Sequence, residues 1–393
     1  MAKLSVKDLD VSAKKVLMRA DFNVPLDDNG NITDDTRIRA ALPTIKHLLD
    51  NGAAKVILMS HLGRPKGQAV PKYSLKPVAG RLQELLGVKV TFIIDCVGQA
   101  VKEEAAASED KVVLLENLRY HPEEEKNDPA FAGELASLGD IYVNDAFGTA
   151  HRAHASTEGV ARHLKAAAGF LLEKEIQYLG SAIRNPQKPF LVILGGAKVS
   201  DKIAVIDNLI EKCDGFIIGG GMAYTFLKAK GEPIGNSKLE ADKLDVAAAI
   251  LTKAEAAGKG IFLPVDHVVA DTIAPDAATE VVETIPEGKI AVDVGPKSVE
   301  LFKDKLKDAK TIVWNGPLGI FEMEPFAAGT KAVGEFIGSL DAVSIIGGGD
   351  TAAAVSLFGL QKQMTHISTG GGASLEFLEG KTLPGVAALA DRE

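Results

Sequence analysis

Four stretches of the chain place glycine runs between a short apolar segment and the start of a helical pattern. They are "VILGGAKVSDKI" (192–203), "FIIGGGMAYTF" (216–226), "SIIGGGDTAAAV" (344–355) and "HISTGGGASLEFLEG" (366–380). Glycine loses more backbone freedom on folding than any other residue, so such runs are costly unless a ligand or a tight turn needs them. At a strand-to-helix junction the free N–H groups and positive dipole end of the helix suit phosphate. One such turn is equally explained without a ligand; four in one half of the chain point to a polyphosphate. No G-x-x-x-x-G-K-[ST] is present, which excludes a P-loop. "GGGDTA" (347–352) matches G-x-G-x-x-A, but the acid that should grip a ribose about 20 residues later is missing. Asp350 also argues against a dinucleotide. A carboxylate at a phosphate-binding helix start repels its ligand unless a cation lies between them, and Mg²⁺ takes one or two carboxylates plus substrate phosphates. The other reading of Asp350 is a plain N-cap. Lys198 and Lys202 lie four apart, on one face if helical, and suit phosphate oxygens or plain solvation. In "WNGPLGIFE" (314–322), Asn315 is placed to bond phosphate and Glu322 a ribose, unless both only stabilise the turn.

The first half ends its apolar runs differently. "LMRADFNVP" delivers Asp21 and Asn23, "LMSHLGRPKG" His61 and Arg64, "LLENLRYHP" Arg119, and "VNDAFGTAHRAHAS" Arg152 and His154, while Arg37 opens a helical segment. Guanidinium forks bind carboxylate and phosphate through two parallel hydrogen bonds. One arginine is a surface charge by default; four at one edge imply a small ligand with two anionic ends. The histidines lack H-E-x-x-H spacing, and no G-x-S-x-G elbow occurs. A Mg-nucleotide half and a small-anion half describe a small-molecule kinase, whose in-line transfer needs positioning and charge neutralisation more than covalent chemistry. A nicotinamide dehydrogenase built on "GGGDTA" and a non-catalytic anion receptor are the rival readings. Asp350 and the missing ribose acid oppose the first; the paired lysines and the absence of an apolar leader in "MAKLSVKDLD" oppose the second.

The segments that must carry these residues alternate between apolar runs and helical patterns. "KKVLMRA", "KVILMSH", "VKVTFII", "KVVLLEN" and "IYVNDA" read as strands. "TRIRAALPTIKHLLDNG" sets Ile38, Ala41, Leu42, Ile45, Leu48 and Leu49 on one helical face, and "LKPVAGRLQELLG" is a helix closed by Gly87. The runs are continuously apolar rather than alternating, which is the pattern of a parallel sheet covered on both faces. A helix, "FLLEKEIQYLGSAIRNPQKP", ends at prolines and precedes a second series: "FLVILGG", "DGFIIGG", "IFLPVDH", "KIAVDVG", "TIVWNG", "AVSIIGG" and "HISTGG". The expectation is two α/β domains joined by a helix. "HPEEEKND" (121–128) reads as a solvated loop. The 393 residues carry a net charge of −9, which opposes nucleic acid as a main partner, and two cysteines far apart, which fits a reducing cytosol. No apolar run approaches the ~18 residues of a membrane span. A cytoplasmic enzyme without membrane attachment is expected.

The segments "RADFNVP", "SHLGRP", "ENLR", "AHRAHAS", "GGAKVSDK", "GGGMA", "WNGPLGIFE", "GGGDT" and "STGGGASLE", in this order across the chain, resemble the phosphoglycerate kinase family. The resemblance implies two doubly wound, Rossmann-like parallel-sheet domains: 1–170 for phosphoglycerate, a hinge helix and linker over 171–189, and 190–378 for Mg-nucleotide. A tail, 379–393, returns to the first domain, and the protein is a monomer. It implies reversible, ATP-dependent phosphoryl transfer between 3-phosphoglycerate and 1,3-bisphosphoglycerate in glycolysis. Asp21, Asn23, Arg37, His61, Arg64, Arg119 and Arg152 are implied to hold the phosphoglycerate. Lys198, Lys202, Asn315, Glu322, Gly348, Gly349, Asp350 and Thr351 are implied to hold ATP or ADP, with Asp350 toward Mg²⁺. Arg37, Lys198, Gly371 and Gly372 are implied at the phosphoryl group in flight, where "TGGG" offers N–H groups at a helix start, and domain closure brings the ligands together. One departure is Ala291, where many relatives carry Gly beside the nucleotide.

Overall fold

The computed structural model describes residues 3–392. The chain divides into two compact units, Met1–Gln177 with Thr382–Glu393, and Tyr178–Lys381.

In the first unit, strands β1 (Lys15–Arg19), β2 (Lys55–Met59), β3 (Val90–Ile93), β4 (Val112–Leu115), β5 (Ile141–Asn144) and β6 (Ala166–Ala168) form one parallel sheet in the order β3-β4-β2-β1-β5-β6. Helices α1 (Thr36–Asp50), α2 (Lys76–Leu86), α3 (Gln99–Ala107), α4 (Pro122–Glu125) and α5 (Pro129–Ala136) lie between them, and α6 (Phe170–Arg184) carries the chain into the second unit. Helix α1 buries Ile38, Ala41, Thr44, Ile45 and Leu48, the three-and-four spacing of one face, against the side chains of β1 and β2. Helix α2 stops at Gly87, whose φ of 70° is a left-handed cap that costs glycine nothing. Strand β6 was invisible in the sequence: three alanines carry no β-propensity, and only their pairing with β5 and with the chain's terminal segments makes them a strand.

"HPEEEKND" is not a solvated loop. Its Pro122–Glu125 segment is the short helix α4, and the Glu124 side chain is fully buried. The carboxylate accepts hydrogen bonds from Ser156 N at 2.9 Å and Ser156 Oγ at 2.6 Å, which offset the cost of taking it out of water.

In the second unit, β7 (Phe190–Leu194), β8 (Gly215–Ile218), β9 (Gly260–Phe262), β13 (Thr311–Asn315), β14 (Val343–Gly347) and β15 (His366–Ile367) form a parallel sheet in the order β15-β14-β13-β7-β8-β9. Around it lie α7 (Ile203–Leu209), α8 (Ala223–Ala229), α9 (Leu244–Ala256), α10 (Pro296–Leu306), α11 (Ala328–Ser339), α12 (Gly349–Leu357) and α13 (Gly372–Leu378). "KIAVDVG" does not join this sheet. It is β12 (Ile290–Val294), paired antiparallel to β10 (His267–Ala270), which also pairs antiparallel to β11 (Thr279–Val282). Residues 291–294 of β12 are all buried, so an antiparallel strand covered on both faces carries the same near-continuous apolar run as a parallel one. Both large sheets are otherwise the doubly wound α/β arrangement that the continuous apolar runs imply. A short helix, α14 (Pro384–Ala387), closes the described chain in the first unit, where Gly385 N donates to Ala150 O at 2.9 Å and Ala390 N to Ala166 O at 3.0 Å.

Candidate active site

In the first sheet the chain leaves β1 for β2 on one side and enters β5 on the other, a topological switch point where open α/β sheets bind ligands beyond the carboxyl ends of the strands. Residues 20–23, 60–64, 116–119 and 145–152 all follow such ends. Arg37 Nη1 donates to both carboxylate oxygens of Asp21, at 3.1 and 3.0 Å. Asn23 Oδ1 accepts from Gly63 N at 2.8 Å, tying the β1 loop to the β2 loop. Arg119 is buried at 3 % exposure, with Nη1 donating to Gly63 O at 2.9 Å. Among the described residues its Nε and Nη2 have no hydrogen-bond partner; Glu125 Oε1, 3.4 Å from Nε, is near enough for charge attraction only. Burial pulls this guanidinium down to about 10. Arg152 is half-buried and donates from Nε to His151 Nε2 at 3.2 Å. Arg64 is exposed and makes no hydrogen bond or ion pair among the described residues.

His61 reports how closely these cations converge. Burial first, then the charges of Arg19, Arg119, Arg37 and Arg152, hold its imidazole well below the usual histidine range. His154 is pushed down to about 3 by burial and then by Arg119, Arg19 and Arg152. Arg119 and Arg152 act on both rings and Arg37 on His61, so three of the four expected arginines converge here with one that was overlooked. Arg19 closes β1 and is fully buried, with Nε 2.8 Å from Ser156 Oγ and Nη2 3.2 Å from His61 Nδ1. The available signal was a cation at the end of the apolar run "KKVLMRA", a residue type almost never fully buried without a partner.

The second sheet has its switch point between β7 and β13, and the loops leaving those strands touch there. Gly196 N donates to Pro317 O at 3.0 Å and Gly220 N to Leu318 O at 2.9 Å. A Cβ on Gly195 would lie 2.1 Å from Pro317 O, and one on Gly220 would lie 2.6 Å from Gly196 N. These glycines are there so that neighbouring loops can pack backbone to backbone. Gly349 and Gly371 differ: an added Cβ would meet nothing within 4 Å at either. Gly371 holds φ +43° as the cap of α13, and Gly372 opens that helix, where the first N–H groups precede any intrahelical bond. The four glycine runs therefore divide into loop-packing positions and open ones.

Lys198 and Lys202 do not share a helical face, because α7 begins only at Ile203. Lys198 is exposed in the loop. Lys202 is partly buried, which lowers its ammonium's pKa despite Asp201 and Asp350 nearby, and its Nζ donates to Asn315 Oδ1. Asn315 Nδ2, buried at the end of β13, has no hydrogen-bond partner among the described residues. Asp350 is not the cap of α12; Gly348 is, with no side-chain capping bond. The Asp350 side chain is exposed in the first turn and accepts no hydrogen bond among the described residues. A lone open carboxylate beside Lys202 and a helix start fits a Mg²⁺ that takes its remaining ligands from phosphate and water. Thr351 is fully buried and its Oγ1 accepts from Gly316 N at 2.6 Å, fixing the β13 loop. Beside these residues lies a cleft of about 440 Å³ lined by Gly220, Tyr224, Ala291, Leu318, Glu322 and Asp350. Ala291 and the exposed Glu322 thus border the same space.

A family model described as phosphoglycerate kinase matches residues 6–381. The phosphoglycerate kinase of Acidobacterium capsulatum is 59% identical, and that of Moorella thermoacetica 57%, each over 100% of both chains. Among solved structures, phosphoglycerate kinase from Coxiella burnetii superposes with a TM-score of 0.90 at 44% identity, covering 98% of each chain. That from Pyrococcus horikoshii does so with 0.86 at 35% identity, again covering 98% of each. Two doubly wound sheets are the fold such a match requires, and the chain belongs to the phosphoglycerate kinase family.

Proposed function

We propose that the chain performs its family's reaction, 1,3-bisphosphoglycerate + ADP to 3-phosphoglycerate + ATP and the reverse, with the phosphoglycerate on the first unit and the Mg-nucleotide on the second. The observation that carries this is Arg119, a buried cation with two donor nitrogens lacking partners, set in a cluster with Arg19, Arg37 and Arg152 around a neutral His61. Such a cluster is electrostatically incomplete without a small anion. Asp21, Asn23, Arg37, His61, Arg64, Arg119 and Arg152 bind that anion in this reading. Asn23 orders the two loops, and Arg64, without a partner among the described residues, swings onto the ligand's distal end.

On the second unit Lys202 and Asn315 hold phosphate oxygens, Lys198 reaches in from its loop, and the open N–H groups of Gly348–Thr351 face the nucleotide, whose ribose lies toward Glu322. Mg²⁺, which Asp350 would hold, supplies charge neutralisation on the phosphates. Arg37, Lys198, Gly371 and Gly372 act on the phosphoryl group in flight: they offer donors to charge that grows in the transition state. The acceptor is a carboxylate or ADP, so no general base is needed. The ligands belong to different units, so transfer requires a closing motion about α6. The enzyme is a cytoplasmic monomer that engages neither nucleic acid nor membrane; no helix among the described residues is long and apolar enough to cross one. ADP formation from ATP tests the activity. It should depend on added 3-phosphoglycerate, and equal rates with and without it would reject the reading.

A further inference from the structure

Between Glu124, the one buried residue of α4, and the first-unit site runs a chain of four side chains whose hydrogen bonds can point in one direction only. Glu124 accepts from Ser156 N and from Ser156 Oγ, at 2.9 and 2.6 Å. Ser156 Oγ accepts from Arg19 Nε at 2.8 Å. Arg19 also donates from Nη1 to Ala20 O, and its Nη2 is 3.2 Å from His61 Nδ1. All four side chains are buried, Glu124, Ser156 and Arg19 at 0% exposure and His61 at 3%.

A guanidinium has donors and no acceptor, and a neutral imidazole has one of each. The Ser156 hydroxyl proton therefore goes to Glu124, leaving an oxygen lone pair for Nε. The Nδ1 lone pair must likewise face Nη2, which leaves the imidazole proton on Nε2. An imidazolium cannot accept this bond at all. We infer that Glu124, Ser156 and Arg19 are positioning residues that hold His61 as the neutral Nε2–H tautomer, so that it meets an anionic ligand as a hydrogen-bond donor of fixed direction. Glu124 also balances a buried arginine charge that would otherwise be uncompensated. The inference rests on the proposed role of His61 toward the phosphoglycerate; the tautomer itself does not.

The direction of the chain explains why a carboxylate is needed at its far end. Glutamine at 124 has nearly the same shape but only one acceptor oxygen for two Ser156 donors. An amide that keeps its oxygen toward Ser156 N turns a donor on Ser156 Oγ, which then loses the acceptor for its own proton.

Two-bond ¹H–¹⁵N correlation spectra of the ¹⁵N-histidine-labelled full-length protein test this, with the His61 signals assigned by their loss in His61→Gln. At pH 7 the parent should show His61 neutral and protonated on Nε2 alone. Protonation on Nδ1, a tautomer mixture or an imidazolium in the parent overturns the inference without any variant. In Ser156→Ala and Glu124→Gln the signals should move toward a tautomer mixture, and KM for 3-phosphoglycerate should rise about tenfold, the equivalent of one misdirected hydrogen bond, with a smaller change in kcat. A single Nε2–H tautomer with unchanged KM in both variants also overturns it. Adding 3-phosphoglycerate to the parent should shift the His61 Nε2 resonance. If the tautomer is as stated and this shift is absent, the assignment of His61 to the ligand fails while the chain stands.

Discussion

Arg119 is a cation that the fold buries and leaves with two nitrogens short of partners, a costly state that an anion relieves. Arg119→Ala is therefore expected to raise KM for 3-phosphoglycerate at least tenfold while lowering kcat less, because the contact is made in ground and transition states alike; steady-state kinetics at saturating Mg-ATP checks this. Arg37 belongs to a different class. Its partner is Asp21, held through both oxygens, rather than Asp34 or Asp35 beside it in sequence; Asp35 is occupied by Arg39 and Arg81. If Arg37 meets the migrating phosphoryl group, Arg37→Ala should lower kcat on the order of 10³-fold with little change in either KM. Arg37→Lys should recover only part of that, since an ammonium loses the planar fork. A near-normal kcat with a lowered melting temperature would leave Arg37 as the counter-charge of Asp21 alone. The placement of Asp21, Arg119 and Arg152 beyond strand ends was legible, because each follows an apolar run long enough to be a strand. Arg19 and Glu124 were not legible as a pair. Each looks like a solvated charge until the fold places Ser156 between them, and their positions, 105 residues apart, carry no local pattern.

Elements explain the glycine runs better than the sequence could. A Cβ on Gly195 would collide with the backbone of the β13 loop, whereas one on Gly349 would meet open space at a helix start. Gly195→Ala should then destabilise the second unit by about 1–3 kcal/mol, as overpacking does. Gly349→Ala should leave the melting temperature nearly unchanged and weaken Mg-ADP binding. Melting curves and calorimetry on the two variants separate packing glycines from ligand glycines. The helical pattern after "GGAKVSDK" was legible, but its start was not: Lys198 and Lys202 precede Ile203, held by a loop whose shape comes from contacts with the β8 and β13 loops. Helix α6 begins on Asp145, whose Oδ1 accepts from Leu171 N at 2.8 Å and Leu172 N at 3.2 Å. Burial raises this carboxyl to about 6, against the lowering effect of Thr44 and of those N–H groups. The folded protein thus binds the proton more tightly than the unfolded chain, whose value is about 4. The associated stability is complete below about pH 4 and is lost as pH rises through about 6. Asp145→Asn keeps the acceptor for the two N–H groups and removes the buried charge. It should raise the melting temperature at pH 8 and give no gain at pH 4, with thermal melts across that range as the check.

At the scale of the molecule, the two units were legible because strand runs restart after the helix that ends at "NPQKP". The small antiparallel sheet of β10, β11 and β12 was not, since β12 is buried on both faces and so carries the near-continuous apolar run of the parallel strands. The return of the C-terminal residues to the first unit was known only through resemblance; it rests on backbone bonds such as Leu4 N to Ala390 O at 2.8 Å and Gly385 N to Ala150 O at 2.9 Å. Ending the chain at Lys381 removes these bonds and the apolar cover of Leu383 and Leu389, both nearly fully buried. That truncation should lower the melting temperature of the first unit and, because Gly385 supports the segment leading to Arg152, weaken 3-phosphoglycerate binding more than Mg-ADP binding. The central claim is that each unit holds one ligand with its own residues. It is tested most directly by calorimetric titration of 3-phosphoglycerate and, separately, Mg-ADP into the parent, Arg119→Ala and Asp350→Asn. Arg119→Ala should lose affinity for 3-phosphoglycerate alone and Asp350→Asn for Mg-ADP alone, each by tenfold or more, a difference of about 1.4 kcal/mol or greater. Loss of 3-phosphoglycerate affinity in Asp350→Asn, or parent-like affinity for both ligands in Arg119→Ala, would contradict it.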